Sequence, residues 1–272
     1  MHKIQIKEIY NTINIIKSPQ KPLITNFYFN KTNKLYKIKS TNNSLIFIYK
    51  DFGFYRIYFL GNDLFELEYL LNDLELDLDS YIEIIAKEAY LNLPNYKKEA
   101  TYLKFYKKID KNPNYIYKND FILDCDMLYK NINKDFNKYY DHLPNKNTIK
   151  QYIKNNQVLY ISKDDVLLSY LVFKQMGKSA YLNFIANYAG KDSIIKLWNS
   201  FYTTLNKINI QSINLWCNSI NKKAMNMYKI EGFTFSGLNN FIYSKSANIA
   251  TKRGGVEQSI KIQSIRHNLK AA

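Results

Sequence analysis

The stretch Asn221-Lys222-Lys223-Ala224-Met225-Asn226-Met227-Tyr228-Lys229-Ile230-Glu231-Gly232-Phe233 decides how the rest of the chain is read. Asn221 suits a helix N-cap, because its side-chain oxygen can accept from an amide of the first turn. Ala224, Met227 and Tyr228 then share one helix face, and Gly232 suits the left-handed exit that ends a helix. Residues 210–217 before this helix and 234–243 after it are rich in β-branched and aromatic side chains, which predicts strands.

Working outward, residues 158–161 and 166–174 read as strands around the turn Lys163-Asp164-Asp165, and 179–186 as a third. A helix is expected over 192–206, with Ile194, Leu197, Trp198, Phe201, Tyr202 and Leu205 on its apolar side. The first half repeats that order. Strands are expected at 35–39, 45–50 and 54–60, a helix opened by Gly61-Asn62-Asp63, and strands at 81–86 and 101–107. Ahead of them, Ile9, Ile13 and Ile16 have helical spacing that stops at Ser18-Pro19. The two series are offset by about 120 to 130 residues, a period suited to two related domains rather than a solenoid. The expectation is a mixed α/β protein of two domains, 1–110 and 111–245, each a central, mostly antiparallel sheet flanked by helices. Lys111-Asn112-Pro113-Asn114 reads as the linker. Residues 246–272, with Gly254-Gly255, read as a disordered or non-native tail outside the core, within which Ile260, Ile262, Ile265 and Leu269 have the spacing of a short amphipathic helix.

The pattern Asn221-x-x-Ala224-x-x-x-Tyr228-x-x-x-Gly232-Phe233, following a strand, resembles the last catalytic helix of the GNAT superfamily of acyl-CoA-dependent N-acyltransferases. The resemblance extends over roughly 120 to 245. It takes in Asp135-Phe136 and Tyr139-Tyr140-Asp141-His142-Leu143-Pro144 as the helical front of such a domain; the first half resembles a second, divergent copy by element order. The resemblance implies a sheet parted between 179–186 and 210–217, with the pantetheine of acetyl-CoA in the gap. Phe184, Ile185, Ala186 and Asn187 would bind it through backbone amides. Gly190, Lys191, Asp192 and Ser193 would take the pyrophosphate at a helix N-terminus, where free amides and the helix dipole favour an anion. Asn221 would touch the cofactor, and Tyr228 would protonate the departing thiolate. No metal is implied. The acceptor is a primary amine of unspecified identity, and the N-terminal half would shape the acceptor cleft or a homodimer surface.

Two departures from the family pattern matter. Its phosphate loop reads Arg/Gln-x-x-Gly-x-Gly/Ala. Aligned through Gly190-Lys191, this chain places Ala189, Asp192 and Ile194 at the three defining positions; a frame starting at Asn187 recovers Gly190 and still ends on Asp192. Asp192 adds charge and is able to cap its own helix, with Lys191 as a compensating cation. Where many relatives carry a strand Glu as base, this chain has Asn183, which cannot accept a proton. Asp141 and His142 are the alternatives. Cys217 reads as a buried, inert thiol.

Composition bounds the other readings. Of 272 residues, 46% are hydrophobic, too many for intrinsic disorder. No apolar run reaches the roughly 18 to 20 residues that cross a bilayer, and the first residues lack the apolar core of a secretory signal. Two cysteines cannot build a disulfide framework, so a cytoplasmic setting with reduced thiols is expected. The net charge of +16 divides as +3 over 1–110, +9 over 111–245 and +4 beyond. Its bases are nearly all Lys, with no run of five or six, and only three are Arg (Arg56, Arg253 and Arg266). Nucleic-acid readers cluster such charge and favour Arg, which argues against that partner. The 25 Tyr and 16 Phe fall mostly on the apolar phase of their elements and read as core. Two readings stand beside acetyl transfer: a GNAT-like scaffold without catalysis, and a basic nucleic-acid-binding protein.

Overall fold

The computed structural model describes residues 2–17, 22–27, 35–110, 113, 115, 117 and 122–247. The expected linker, apart from Pro113, and the tail from residue 248 with its candidate helix lie outside the described residues. The chain forms two compact units. Of the described residues, one takes those within 1–85, Ala89–Glu99 and 241–247; the other takes Ala86–Glu88 and those within 100–240.

In the first unit β1 (His2–Ile4) lies antiparallel to β3 (Leu35–Ser40), which leads through β4 (Ser44–Asp51) to β5 (Phe54–Gly61). Phe52 and Gly53, at φ of 42° and 89°, turn β4 into β5 with the backbone twist that a tight hairpin requires. Helix α1 (Ile6–Ile16) buries Ile9 and Ile16 against Phe27, Leu35, Leu45, Phe47 and Leu60. Helix α2 (Leu64–Asn72) then leads to β6 (Ser80–Ala86), parallel to β5. At the C-terminal end of α2 the Lys245 ammonium donates to the carbonyls of Asn72 (2.8 Å) and Leu74 (2.6 Å). Its acids are engaged locally: Glu66 accepts from Ser44 Oγ, Glu68 from the Asn92 amide, and Asp73 pairs with Lys39.

Parallel pairing of β5 with β6 covers only Tyr55–Ile57. Beyond it, a strand too short for periodicity to reveal, β2 (Ile24–Thr25), pairs with Leu60 and Gly61. Asn26 completes the cover: its Nδ2 donates to the Ile57 carbonyl (3.0 Å) and its Oδ1 accepts from the Phe59 amide (2.8 Å).

The second unit contains β7 (Lys97–Lys108, from Ala100 on), α3 (Cys125–Asp135), α4 (Lys146–Lys154), β8 (Val158–Lys163), β9 (Val166–Met176), β10 (Ser179–Asn187), α5 (Lys191–Lys207), β11 (Ser212–Asn218), α6 (Lys222–Ile230) and the first part of β12 (Thr234–Lys245). Its strands run in the order β7-β11-β10-β9-β8, antiparallel except for β10 beside β11. Asp164 and Asp165, both at positive φ, make the β8–β9 hairpin. One face packs on α5 and α6 through Trp198, Phe201, Tyr202, Tyr228 and Phe233; the other packs on α3 and α4 through Leu128, Ile132, Ile149 and Phe184. Each such buried side chain contributes roughly 1.5–3 kcal/mol by leaving water. Asp135 closes α3, whereas Tyr139–Pro144 of the expected helical front forms the connection to α4.

Candidate functional site

The parallel strands β10 and β11 pair from Ser179↔Ser212 to Leu182↔Leu215, and there the pairing ends. Strand β10 continues to Asn187 and β11 to Asn218, so the two part beyond Leu182. The register of β10 against β9 shifts between Leu182 and Phe184, leaving Asn183 as the extra residue of a bulge, which bends the strand where the gap opens. The Tyr188 amide donates to the Leu168 carbonyl at 2.8 Å. Amide direction alternates along a strand, so Phe184 and Ala186 also turn theirs to β9, and Ile185 and Asn187 turn theirs to the gap. Among the described residues no strand or side chain accepts from those two amides.

At the top of β10 the chain turns through Tyr188-Ala189-Gly190 into α5. Gly190, the N-cap, sits at φ 84°, ψ −159°, a conformation nearly confined to glycine. No side chain caps this 17-residue helix. Asn187 instead ties the turn, donating Nδ2 to the Gly190 carbonyl at 2.8 Å. The Asp192 carboxylate does not take the helix amides; it pairs with Lys196 one turn on, at 2.6 Å. The amides of Lys191, Asp192 and Ser193 are therefore without acceptors among the described residues, while the Ser193 hydroxyl donates to Ser169 Oγ (2.7 Å) and fixes the helix start on β9. Tyr188 is anchored through its hydroxyl to Asp135 of α3.

Helix α6 is positioned as the sequence suggests. Asn221 Oδ1 accepts from the Ala224 amide (3.0 Å), and Gly232, at φ 84°, lets the Phe233 amide return to the Tyr228 carbonyl (2.9 Å). Tyr228 is 4% exposed, its ring against Phe105, Trp198 and Phe233. Burial, and secondarily the neighbouring Cys217, push its phenol above the ordinary tyrosine value, so the hydroxyl keeps its proton. Among the described residues that hydroxyl has no hydrogen-bond partner. Burial likewise pushes the Cys217 thiol up to about 11, which makes it a poor nucleophile at neutral pH.

The opposite face of the sheet holds groups that no motif announces. Asn183 Nδ2 donates to the Tyr152 hydroxyl of α4 at 3.1 Å, which fixes the bulge. Asp141 accepts from the Tyr102 hydroxyl of β7 (2.8 Å) and from the Asn137 amide (2.7 Å), so its carboxylate lies beside the far end of β11, where Tyr102 is the register partner of Asn218. His142 is exposed, at φ 47°. Among the described residues there is no cluster of His, Cys, Asp and Glu able to hold a metal, and no helix long and apolar enough to cross a membrane. Both cysteines are free thiols.

No protein-family model matches the chain, and no curated protein matches it by sequence. Solved structures do match. A GCN5-related N-acetyltransferase from Sphaerobacter thermophilus superposes with a TM-score of 0.53 at 8% identity, over 75% of this chain and 76% of that one. A GNAT-family acetyltransferase from Novosphingobium aromaticivorans gives 0.48 at 13% identity, over 78% and 92%. A tandem GNAT protein from the clavulanic acid biosynthesis pathway gives 0.48 at 7% identity, over 87% and 86%. With the parted parallel strands and the glycine-led helix between them, the first of these matches shows that the chain has the fold of the GCN5-related N-acetyltransferases.

Proposed function

We propose that the second unit is an N-acyltransferase that moves an acetyl group from acetyl-CoA to a primary amine. The observation that carries this reading is one continuous row of unclaimed amides: Ile185 and Asn187 along the parted strand, then Lys191, Asp192 and Ser193 at the start of α5. The strand amides suit the amide-bearing arm of the cofactor, and the helix start suits its pyrophosphate. Lys191, exposed beside those amides, adds positive charge. Phe184 and Ala186, whose amides turn to β9, stand outside that row, and the Asn221 side chain caps α6. The residues thus fit acetyl-CoA, which supplies an activated thioester when bound.

Within that site the gap-facing amides would orient and polarise a carbonyl oxygen. Tyr228, held neutral by burial, would donate its proton to a departing thiolate, a role in which a positioned acid contributes about 10²–10⁴-fold. Asn183 cannot take the amine proton, so the carboxylate of Asp141, on the face from which an amine would approach, is the base we assign. The free thiols fit a cytoplasmic setting. Calorimetry with acetyl-CoA tests the reading: saturable heat is expected, and none at millimolar cofactor would leave a non-catalytic scaffold as the better description. The nucleic-acid reading would instead require retention of DNA or RNA that weakens steeply with salt.

A further inference from the structure

Residues on one face of a sheet alternate with those on the other, so the side chains of the second unit can be sorted by face. Leu182, Leu215, Cys217 and Phe105 share the face of Tyr228 and of α5. Tyr181, Asn214, Trp216, Tyr102 and Lys104 belong to the other face, with Asp141 and Tyr152. On the acyl-transfer reading, the proposed acid and phosphate-binding helix lie on the first face, which leaves the second for the acceptor.

Lys104 stands out on that second face. It is the register partner of Trp216, the first β11 residue beyond the last zipped pair, so it sits where the gap opens. Its Nζ lies 6.0 Å from the ring centroids of both Tyr181 and Trp216. It is half-buried, and among the described residues it has neither an ion pair nor a hydrogen bond. Two rings offset part of the cost of withdrawing an ammonium from water, but supply no anion. Elsewhere in this chain a Lys so withdrawn does find oxygen ligands: Lys107 has Asp110 (2.9 Å), and Lys245 has two carbonyls. The Tyr181 hydroxyl, the Trp216 indole N–H and the side-chain amide of Asn214, the register partner of Tyr181, are also without partners among the described residues, so this face carries unused polar groups beside the cation's two rings. Two positions farther along β7, on the same face, Tyr102 holds the Asp141 carboxylate.

We infer that this face binds an amine acceptor carrying an anionic group a few bonds from its amine, the anion seated on Lys104 between Tyr181 and Trp216 and the amine toward Asp141. The inference rests on the acyl-transfer reading for the term acceptor, but not for the binding site itself. No covalent step beyond amide formation is involved: Lys104 selects and places the acceptor.

The test is equilibrium binding of matched probes, with and without saturating acetyl-CoA: phenylalanine against phenylalaninamide, and O-phosphoethanolamine against ethanolamine. One pair or the other should show the anionic member bound at least about tenfold tighter, since an ammonium–anion contact shielded from water is charge-assisted. Which pair responds tells carboxylate from phosphoryl. Lys104→Met should abolish the preference and Lys104→Arg should keep it, with the acetyl-CoA dissociation constant unchanged in both. Absence of any anion preference in the wild type, or its persistence in Lys104→Met, overturns the inference. An intact, Lys104-dependent preference in a protein that shows no acetyl-CoA heat would sink acyl transfer and leave the anion site standing. Should Lys104→Met not fold, equal binding of the two members of each pair by wild type and Lys104→Arg would overturn it.

Discussion

The two units build the same parallel-strand parting and treat it in opposite ways. In the first, β5 and β6 separate after Ile57 and Ile82; in the second, β10 and β11 separate after Leu182 and Leu215. The first gap is filled from within. Strand β2 pairs with Leu60 and Gly61, and Asn26 accepts the Phe59 amide, the position corresponding to Ile185. The helix that follows is occupied too: the Asp63 carboxylate accepts the Glu66 amide at 3.1 Å, whereas Gly190 offers no side chain to α5. Crowding completes the closure, since a Cβ on Gly61 would come within 2.8 Å of Leu67, while one on Gly190 would meet nothing within 4 Å. Nor, among the described residues, does the first unit carry a helix after β6. Its chain loops instead through Leu93–Tyr96, and the Tyr96 hydroxyl donates to the Leu71 carbonyl. One framework is therefore self-satisfied and the other is left with unspent donors, and unspent donors mark where a ligand belongs.

The contrast can be attacked at several strengths. The largest effect should come from Tyr228→Phe, which keeps the ring packing and deletes the proton. Turnover should fall by about 10²–10³-fold with acetyl-CoA affinity unchanged. Steady-state kinetics showing undiminished kcat would remove Tyr228 from the mechanism.

A smaller, purely structural effect is expected in the closed unit. Asn26→Ala strips partners from the buried Phe59 amide and Ile57 carbonyl, and should cost about 1–3 kcal/mol in denaturant unfolding. Acetyl-CoA binding should be untouched, because β2 still covers the strand. A gain of a second cofactor site in this variant would show that Asn26 alone makes the difference.

The smallest effect concerns pH. The Cys217 thiol rises from 9.0 to about 11 on folding, so between those values the folded state holds a proton that the unfolded state has lost. Its stabilising contribution is complete below pH 9 and is lost as pH climbs toward 11. Thermal midpoints should decline over that window, and Cys217→Ala should flatten the decline; an unchanged slope would mean the thiol is not titrating there.

Much of this was legible beforehand, and unevenly so. Turn chemistry at Lys163–Asp165 marked the β8–β9 hairpin, and Asn221 and Gly232 marked both ends of α6. Neither half's series of strands needed a relative to be seen. What escaped depends on pairing between distant segments. Two-residue β2 carries no periodicity, and nothing local says that Ile24 and Thr25 will lie along Leu60 and Gly61. The bulge at Asn183 is a property of register, not of composition. The Asp192 carboxylate looked like a self-cap from its position, and Lys196 decided otherwise. Lys104 was one base among 39 Lys and Arg residues until the pairing of β7 with β11 set it beside Trp216.

Amide hydrogen exchange with and without saturating acetyl-CoA reads both gaps in one experiment. Added cofactor should slow exchange at Ile185, Asn187 and Lys191–Ser193 and leave Phe54–Gly61 as it was, already protected by β4, β2 and Asn26. Protection gained along Phe54–Gly61, or none anywhere between Asn183 and Ser193, would contradict the assignment of the open gap as the cofactor's place.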